Sequence, residues 1–183
     1  MIAITDGFVL ALAALYFLDT EGLLPLFLGA AALHELGHFS VLICCKGRFE
    51  RLILTAAGGR MDCRLPESRL GRILTLAAGP AVNLLLWLLF HRTSYHLFAG
   101  ANLLLGLFNL MPIRPLDGGE ILDTLCCGQA VMARQYLSAA GAVAVALLGL
   151  VVWQRGGGVS MLLLGVMLSF LAGRSCTSGQ AML

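Results

Sequence analysis

The residues best suited to do chemistry lie in the stretch AALHELGHFSV, residues 31–41, where two histidines flank a glutamate. His34 and His38 are four residues apart, so on a helix they share one face, with Glu35 beside them. The spacing H-E-x-x-H lets two imidazoles reach one zinc ion while a carboxylate takes a proton from water. Catalytic zinc sites take three protein ligands and keep a fourth position for water, so a third ligand must come from elsewhere. A satisfied histidine pair in a helix bundle is the alternative reading of these residues.

The surroundings of this triad are built for oil. Hydrophobic residues make up 59% of the chain and charged residues 12%, with a mean hydropathy of +0.90. Such a chain would be insoluble as a water-exposed domain and reads as an integral membrane protein. Spanning a bilayer takes about 20 mostly apolar residues per helix. Runs of that kind fall at 3–18, 23–45, 70–90, 96–113, 130–153 and 159–173. The expected fold is an all-α polytopic membrane protein of about six transmembrane helices, with a single domain over 1–183. Glu35 then lies some 11 residues from the cytosolic end of its span. A charge near mid-bilayer costs about 2.5–3.5 kcal/mol or more, which demands a partner, and zinc is the obvious one.

Asp19, Thr20 and Glu21 follow the first apolar run where a cleavage site would need small residues, so that run reads as a retained span. With six spans, one side carries Lys46, Arg48, Arg51, Arg60, Arg64, Arg69, Arg72, Arg114, Arg134 and Arg174, and the other only Arg92 and Arg155. That asymmetry puts both termini in the cytoplasm, in a multi-pass protein of the cell membrane whose active site opens toward the cytosol. The net charge of +2 thus reports topology, and no dense basic patch with interleaved aromatics suggests nucleic acid. All six cysteines, Cys44, Cys45, Cys63, Cys126, Cys127 and Cys176, fall on the cytosolic side with no C-x-x-C pair, and read as reduced, inert thiols.

For the third ligand, His91 and His96 fall at the opposite membrane face and read as interfacial residues. Among the carboxylates, Asp117 stands out in FNLMPIRPLDGGE, residues 108–120. Pro112 and Pro115 interrupt a helix there, and Gly118 and Gly119 permit a tight turn. Broken helices are tolerated inside membranes where they line a cavity. Taken alone, Asp117 is equally a loop carboxylate or the N-cap of a helix beginning near Glu120.

One polar loop carries a strand signal. In RFERLILTAAGGRMDCRL, residues 48–65, an aliphatic, β-branched half is followed by Arg60, Asp62 and Arg64 alternating with Met61, Cys63 and Leu65. Gly58 and Gly59 between them suit a hairpin turn. The loop is therefore expected to form a small membrane-associated β-hairpin between helices 2 and 3. Its free edge, beside the zinc entrance, offers unpaired backbone groups to an extended substrate.

The order of these motifs resembles that of the site-2 proteases, a family of intramembrane zinc metalloproteases. HELGH resembles the ligand helix of that family, AAGPAVNLLL at 77–86 its G-P-x-x-N helix, and NLMPIRPLDGG its N-x-x-P-x-x-P-x-D-G motif. The resemblance covers the three central spans. It implies one zinc ion per chain, with His34, His38 and Asp117 as ligands and Glu35 as the catalytic acid and base. It further implies that Asn83 and Asn109 stand close to the substrate or the metal loop. On the residues alone, Asn83 is either a hydrogen-bond donor to substrate or an interhelical contact, and Asn109 serves mainly to satisfy freed backbone groups. The six-span layout is similar to the branch containing the sporulation protease that processes a membrane-bound pro-sigma factor, but without that branch's C-terminal nucleotide-sensing domain.

The expected partners are a membrane-anchored protein substrate, of which a pro-sigma or anti-sigma factor would be an example, and the lipid bilayer. Homo-oligomer formation is left open. A membrane zincin of the prenyl-protein protease type and an inactive metal-binding scaffold are the competing readings. The first of these usually takes glutamate as third ligand, and the second has no need of Glu35.

Overall fold

The computed structural model describes residues 2–19, 22–55, 58–114 and 116–126, with isolated positions between 140 and 154. The chain divides into two compact units, Met1–Phe108 and Asn109–Leu183.

The first unit opens on a short strand, β1 (Ile2–Ile4), rather than on a span beginning at residue 3. Thr5 ends it: its hydroxyl donates to the Leu54 carbonyl at 2.9 Å and accepts the Phe8 N–H at 3.3 Å, capping helix α1 (Asp6–Leu18). The Asp19 carboxylate accepts the Leu23 and Leu24 N–H groups at 2.8 and 2.9 Å. It thereby satisfies donors where helix α2 (Leu24–Cys44) starts, with Pro25 in the first turn, where a missing N–H costs nothing. Strands β2 (Arg48–Thr55) and β3 (Gly58–Arg64) follow, then helix α3 (Arg69–Phe90), capped by the Ser68 hydroxyl, and helix α4 (His96–Asn109).

The expected hairpin is part of a larger element. β2 and β3 pair antiparallel, and β1 adds parallel to β2, giving a three-stranded sheet in the order β1-β2-β3. β2 is therefore interior, and among the described residues β3 is an edge. Gly58 and Gly59 are strand residues, paired with Thr55 and Leu54, and not the turn that the sequence suggests. This register leaves a two-residue connection at 56–57, which lies outside the described residues. Ion pairs Arg51–Asp62 (2.7 Å) and Arg64–Glu50 (2.9 Å) tie the two strands together.

Among the described residues, α2 and α3 are long and apolar enough to cross a bilayer, by length and composition. Their outer faces carry exposed leucines such as Leu36, Leu85, Leu88 and Leu89, while the facing sides are buried. α1 and α4 are apolar but shorter. The spans expected at 130–153 and 159–173 fall mainly outside the described residues, so the layout of six helices rests on sequence.

In the second unit, the helix expected to run to residue 113 has already stopped, because a residue preceding proline is pushed out of the helical region and Pro112 ends the run. The chain turns at 110–114 and enters helix α5 at Asp117 rather than near Glu120 (Asp117–Cys126). Gly118 and Gly119 belong to that helix and have no positive φ. They are needed for close approach: a Cβ on Gly118 would overlap the Leu110 carbonyl, and one on Gly119 would lie 2.7 Å from the Ile113 carbonyl carbon. Arg114 fastens the turn to α5 through Glu120 (2.8 Å) and Asp123 (3.1 Å).

Candidate metal centre

His34 and His38 project from α2 into its contact with α3, and both rings are buried. Space for them exists because residue 79 is glycine. A Cβ there would overlap His38 Nε2 and lie 2.8 Å from His34 Cε1.

Each ring is held through Nδ1. His34 Nδ1 donates to Asn83 Oδ1 at 2.5 Å, and His38 Nδ1 donates to the Thr75 carbonyl at 2.8 Å. Both acceptors come from α3, and both require the proton on Nδ1, which leaves the lone pair of each ring on Nε2. The two Nε2 atoms face one another at 3.0 Å, with the rings nearly perpendicular at 86°. Two lone pairs pointed at one another repel unless a cation or proton lies between them. Imidazoles anchored at one nitrogen by a carbonyl-type acceptor and presenting the other are the donor arrangement of a zinc site, so the residues fit the metal.

Glu35 is half-buried on the same helix turn and reaches β3: a Cβ built on Gly59 would lie 3.4 Å from Glu35 Oε1. The edge strand therefore passes directly beside the carboxylate. Four residues further along β3, the Cys63 thiol is pushed above its usual range by burial and by the carboxylates of Asp62, Glu50 and Glu35. It stays protonated at neutral pH, as an inert thiol does. Cys44, Cys45, Cys63 and Cys126 are free thiols, while Cys127 and Cys176 lie outside the described residues.

Asn83 is fully buried, and its amide is engaged on both ends. Besides accepting from His34, it donates through Nδ2 to the Ala30 carbonyl (3.2 Å) and to Asn102 Oδ1 (2.8 Å). This geometry ties Asn83 to the orientation of His34. Asn109 is the last residue of α4 and begins the second unit, and Asp117 opens α5 within that unit. His91 and His96 flank the connection between α3 and α4. His91 bonds the Leu88 carbonyl at 2.9 Å and stacks near Trp87. His91 is 8 residues beyond Asn83, about 12 Å along the helix from the residue that bonds His34, so it stands apart from the His34–His38 pair.

Sequence reasoning passed over two contributors. Thr75 acts through a backbone carbonyl, which leaves no side-chain signal. Asn102 did leave one, an amide in the apolar run HLFAGANLLLG, where an unsatisfied polar group is costly.

A model of peptidase family M50 matches residues 89–153. Stage IV sporulation protein FB of Bacillus subtilis is 32% identical over 104 residues, covering 51% of this chain and 36% of that protein. A zinc metalloprotease of Methanocaldococcus jannaschii is 29% identical over 120 residues, covering 58% of this chain and 33% of that protein. The chain thus spans about a third of the length of each of these two relatives. The solved structure of a site-2 protease from Methanocaldococcus jannaschii is similar with a TM-score of 0.66 and 26% identity, covering 94% of this chain and 89% of that one. The histidine pair, the flanking glutamate and the fold all agree with a likeness to peptidase family M50, the site-2 proteases.

Proposed function

We propose that this chain is an intramembrane zinc metalloprotease that hydrolyses a peptide bond in or near a transmembrane segment of a membrane-anchored protein, close to the cytosolic face. The observation that carries the reading is the facing pair of imidazole Nε2 atoms with Glu35 beside them and an edge strand against that carboxylate. By the family likeness, His34, His38 and Asp117 would hold one zinc ion in a single catalytic domain over 1–183. When bound, zinc acidifies a water and polarises the scissile carbonyl.

Glu35 takes the proton from the attacking water as its oxygen bonds to the carbonyl carbon. It then delivers that proton to the amine as the C–N bond breaks, leaving a carboxylate and a free amine. Buried Asn83 and the Thr75 carbonyl keep both imidazoles in the tautomer that presents Nε2. A transmembrane helix has its peptide bonds hydrogen-bonded and shielded, so the substrate must unwind. Pairing with the β3 edge around Gly58 and Gly59 would hold it extended beside Glu35 without a fixed side-chain sequence. The asymmetry of basic residues supports a multi-pass layout with both termini in the cytoplasm. Pro-sigma and anti-sigma factors are the substrate classes that the family likeness suggests.

The test is reconstitution in liposomes with a membrane-anchored reporter, measuring zinc content and mapping the cleavage site. Zinc-dependent cleavage at or near the membrane segment is the expected result. Cleavage that persists after zinc removal, or cleavage confined to the soluble part of the reporter, would overturn the reading.

A further inference from the structure

Asn83 can serve His34 only if its amide is turned the right way. Its oxygen must face the imidazole and its NH2 must face away, and the two ends of an amide are nearly the same shape. What breaks the tie is the set of acceptors on the NH2 side. One is the Ala30 carbonyl at 3.2 Å, and the other is Asn102 Oδ1 at 2.8 Å. Asn102 is itself fully buried on α4, and its own NH2 donates to the Phe98 carbonyl at 2.9 Å. The Phe98 carbonyl accepts and cannot donate, so it sets the direction of the Asn102 amide, which in turn sets that of Asn83. A chain of hydrogen bonds therefore runs from a backbone carbonyl of α4 through two buried amides to His34 Nδ1.

We propose that Asn102 is a positioning residue for the metal centre, acting through Asn83 to hold His34 in the tautomer that presents Nε2. The proposal rests on His34 being a zinc ligand. Without Asn102 the shorter of the two contacts on the Asn83 NH2 group is lost. The flipped amide, which would offer N–H to His34 and force its proton onto Nε2, then becomes accessible. A proton on Nε2 occupies the position that the metal needs. Disturbing a partner of a metal-bound histidine typically lowers metal affinity about 10–100-fold.

The test uses the full chain in detergent, as wild type, Asn102→Leu, Asn102→Asp and His34→Ala. Zinc affinity is measured by chelator competition, and the histidine tautomer in zinc-free protein by 15N NMR. Leucine has the branched shape of asparagine, though it is bulkier, and has no acceptor, whereas aspartate keeps an oxygen toward Asn83. The expected result is a loss of zinc affinity of about 10–100-fold in Asn102→Leu with near-wild-type affinity in Asn102→Asp, and mixed His34 tautomers in the leucine variant only. Equal affinity and an unchanged tautomer in Asn102→Leu would overturn the proposal, as would equal loss in both Asn102 variants. Should the leucine variant not fold, Asn102→Ala is read in the same two ways. Failure of the metal reading looks different: wild type without zinc, or His34→Ala binding it as tightly, while the tautomer comparison still decides whether Asn102 orients His34.

Discussion

Gly79 on α3 lies so close to the His38 imidazole that a Cβ on it would overlap Nε2, while the same atom would come within 2.8 Å of His34 Cε1. Both rings thus rest on a patch of bare backbone. Gly79→Ala is expected to push them out of register, at a cost of about 1–3 kcal/mol for overpacking. Purified Gly79→Ala should hold little zinc and cleave little substrate. Wild-type zinc content in that variant would show that the imidazoles have room that the structure does not give them.

Glu35→Gln keeps the shape of the side chain and removes the proton acceptor. Zinc content should stay near one per chain while cleavage falls by about 100-fold or more, the usual contribution of a general base. Metal analysis and a reporter assay on the same preparation separate the two effects. Comparable cleavage by the glutamine variant would take the base role away from Glu35.

Three carboxylates lie close together in sequence on α5, and they are expected to behave differently. Glu120 and Asp123 both pair with Arg114, so Glu120→Ala leaves Arg114 one partner and should barely change zinc occupancy. Asp117→Ala removes one of three proposed ligands and should lower occupancy by more than the roughly 10–100-fold typical of disturbing a partner around a metal. Full zinc occupancy in Asp117→Ala would refute this ligand set.

Proline substitutions distinguish the strands. β2 is paired on both sides, so proline within 51–55 should disturb the sheet itself. On β3, proline at alternate positions along 60–64 removes N–H groups that face away from β2 and are available to an added strand. At those positions cleavage should fall with zinc content unchanged. Tolerance at every β3 position would remove the substrate-holding role from this strand.

The sequence by itself determined what short-range periodicity encodes. The four-residue spacing of His34 and His38 puts them on one helix face whatever surrounds them, and alternation along 60–65 marks a strand before any partner is known. Apolar runs likewise mark α2 and α3 because their length answers to the bilayer. Tertiary structure alone decided the rest. Ile2–Ile4 pairs with Leu52–Leu54 about 50 residues away, which makes β2 interior and β3 the edge, and nothing in a run of three apolar residues announces that partner. Gly58 and Gly59 read as a turn locally, yet the pairing of Leu54 with Gly59 draws them into the strand. The contacts that orient the imidazoles join His34 to Asn83 and His38 to Thr75. They form only when α3 packs on α2 closely enough for Gly79 to receive two rings, and one of them uses a backbone carbonyl that every residue possesses.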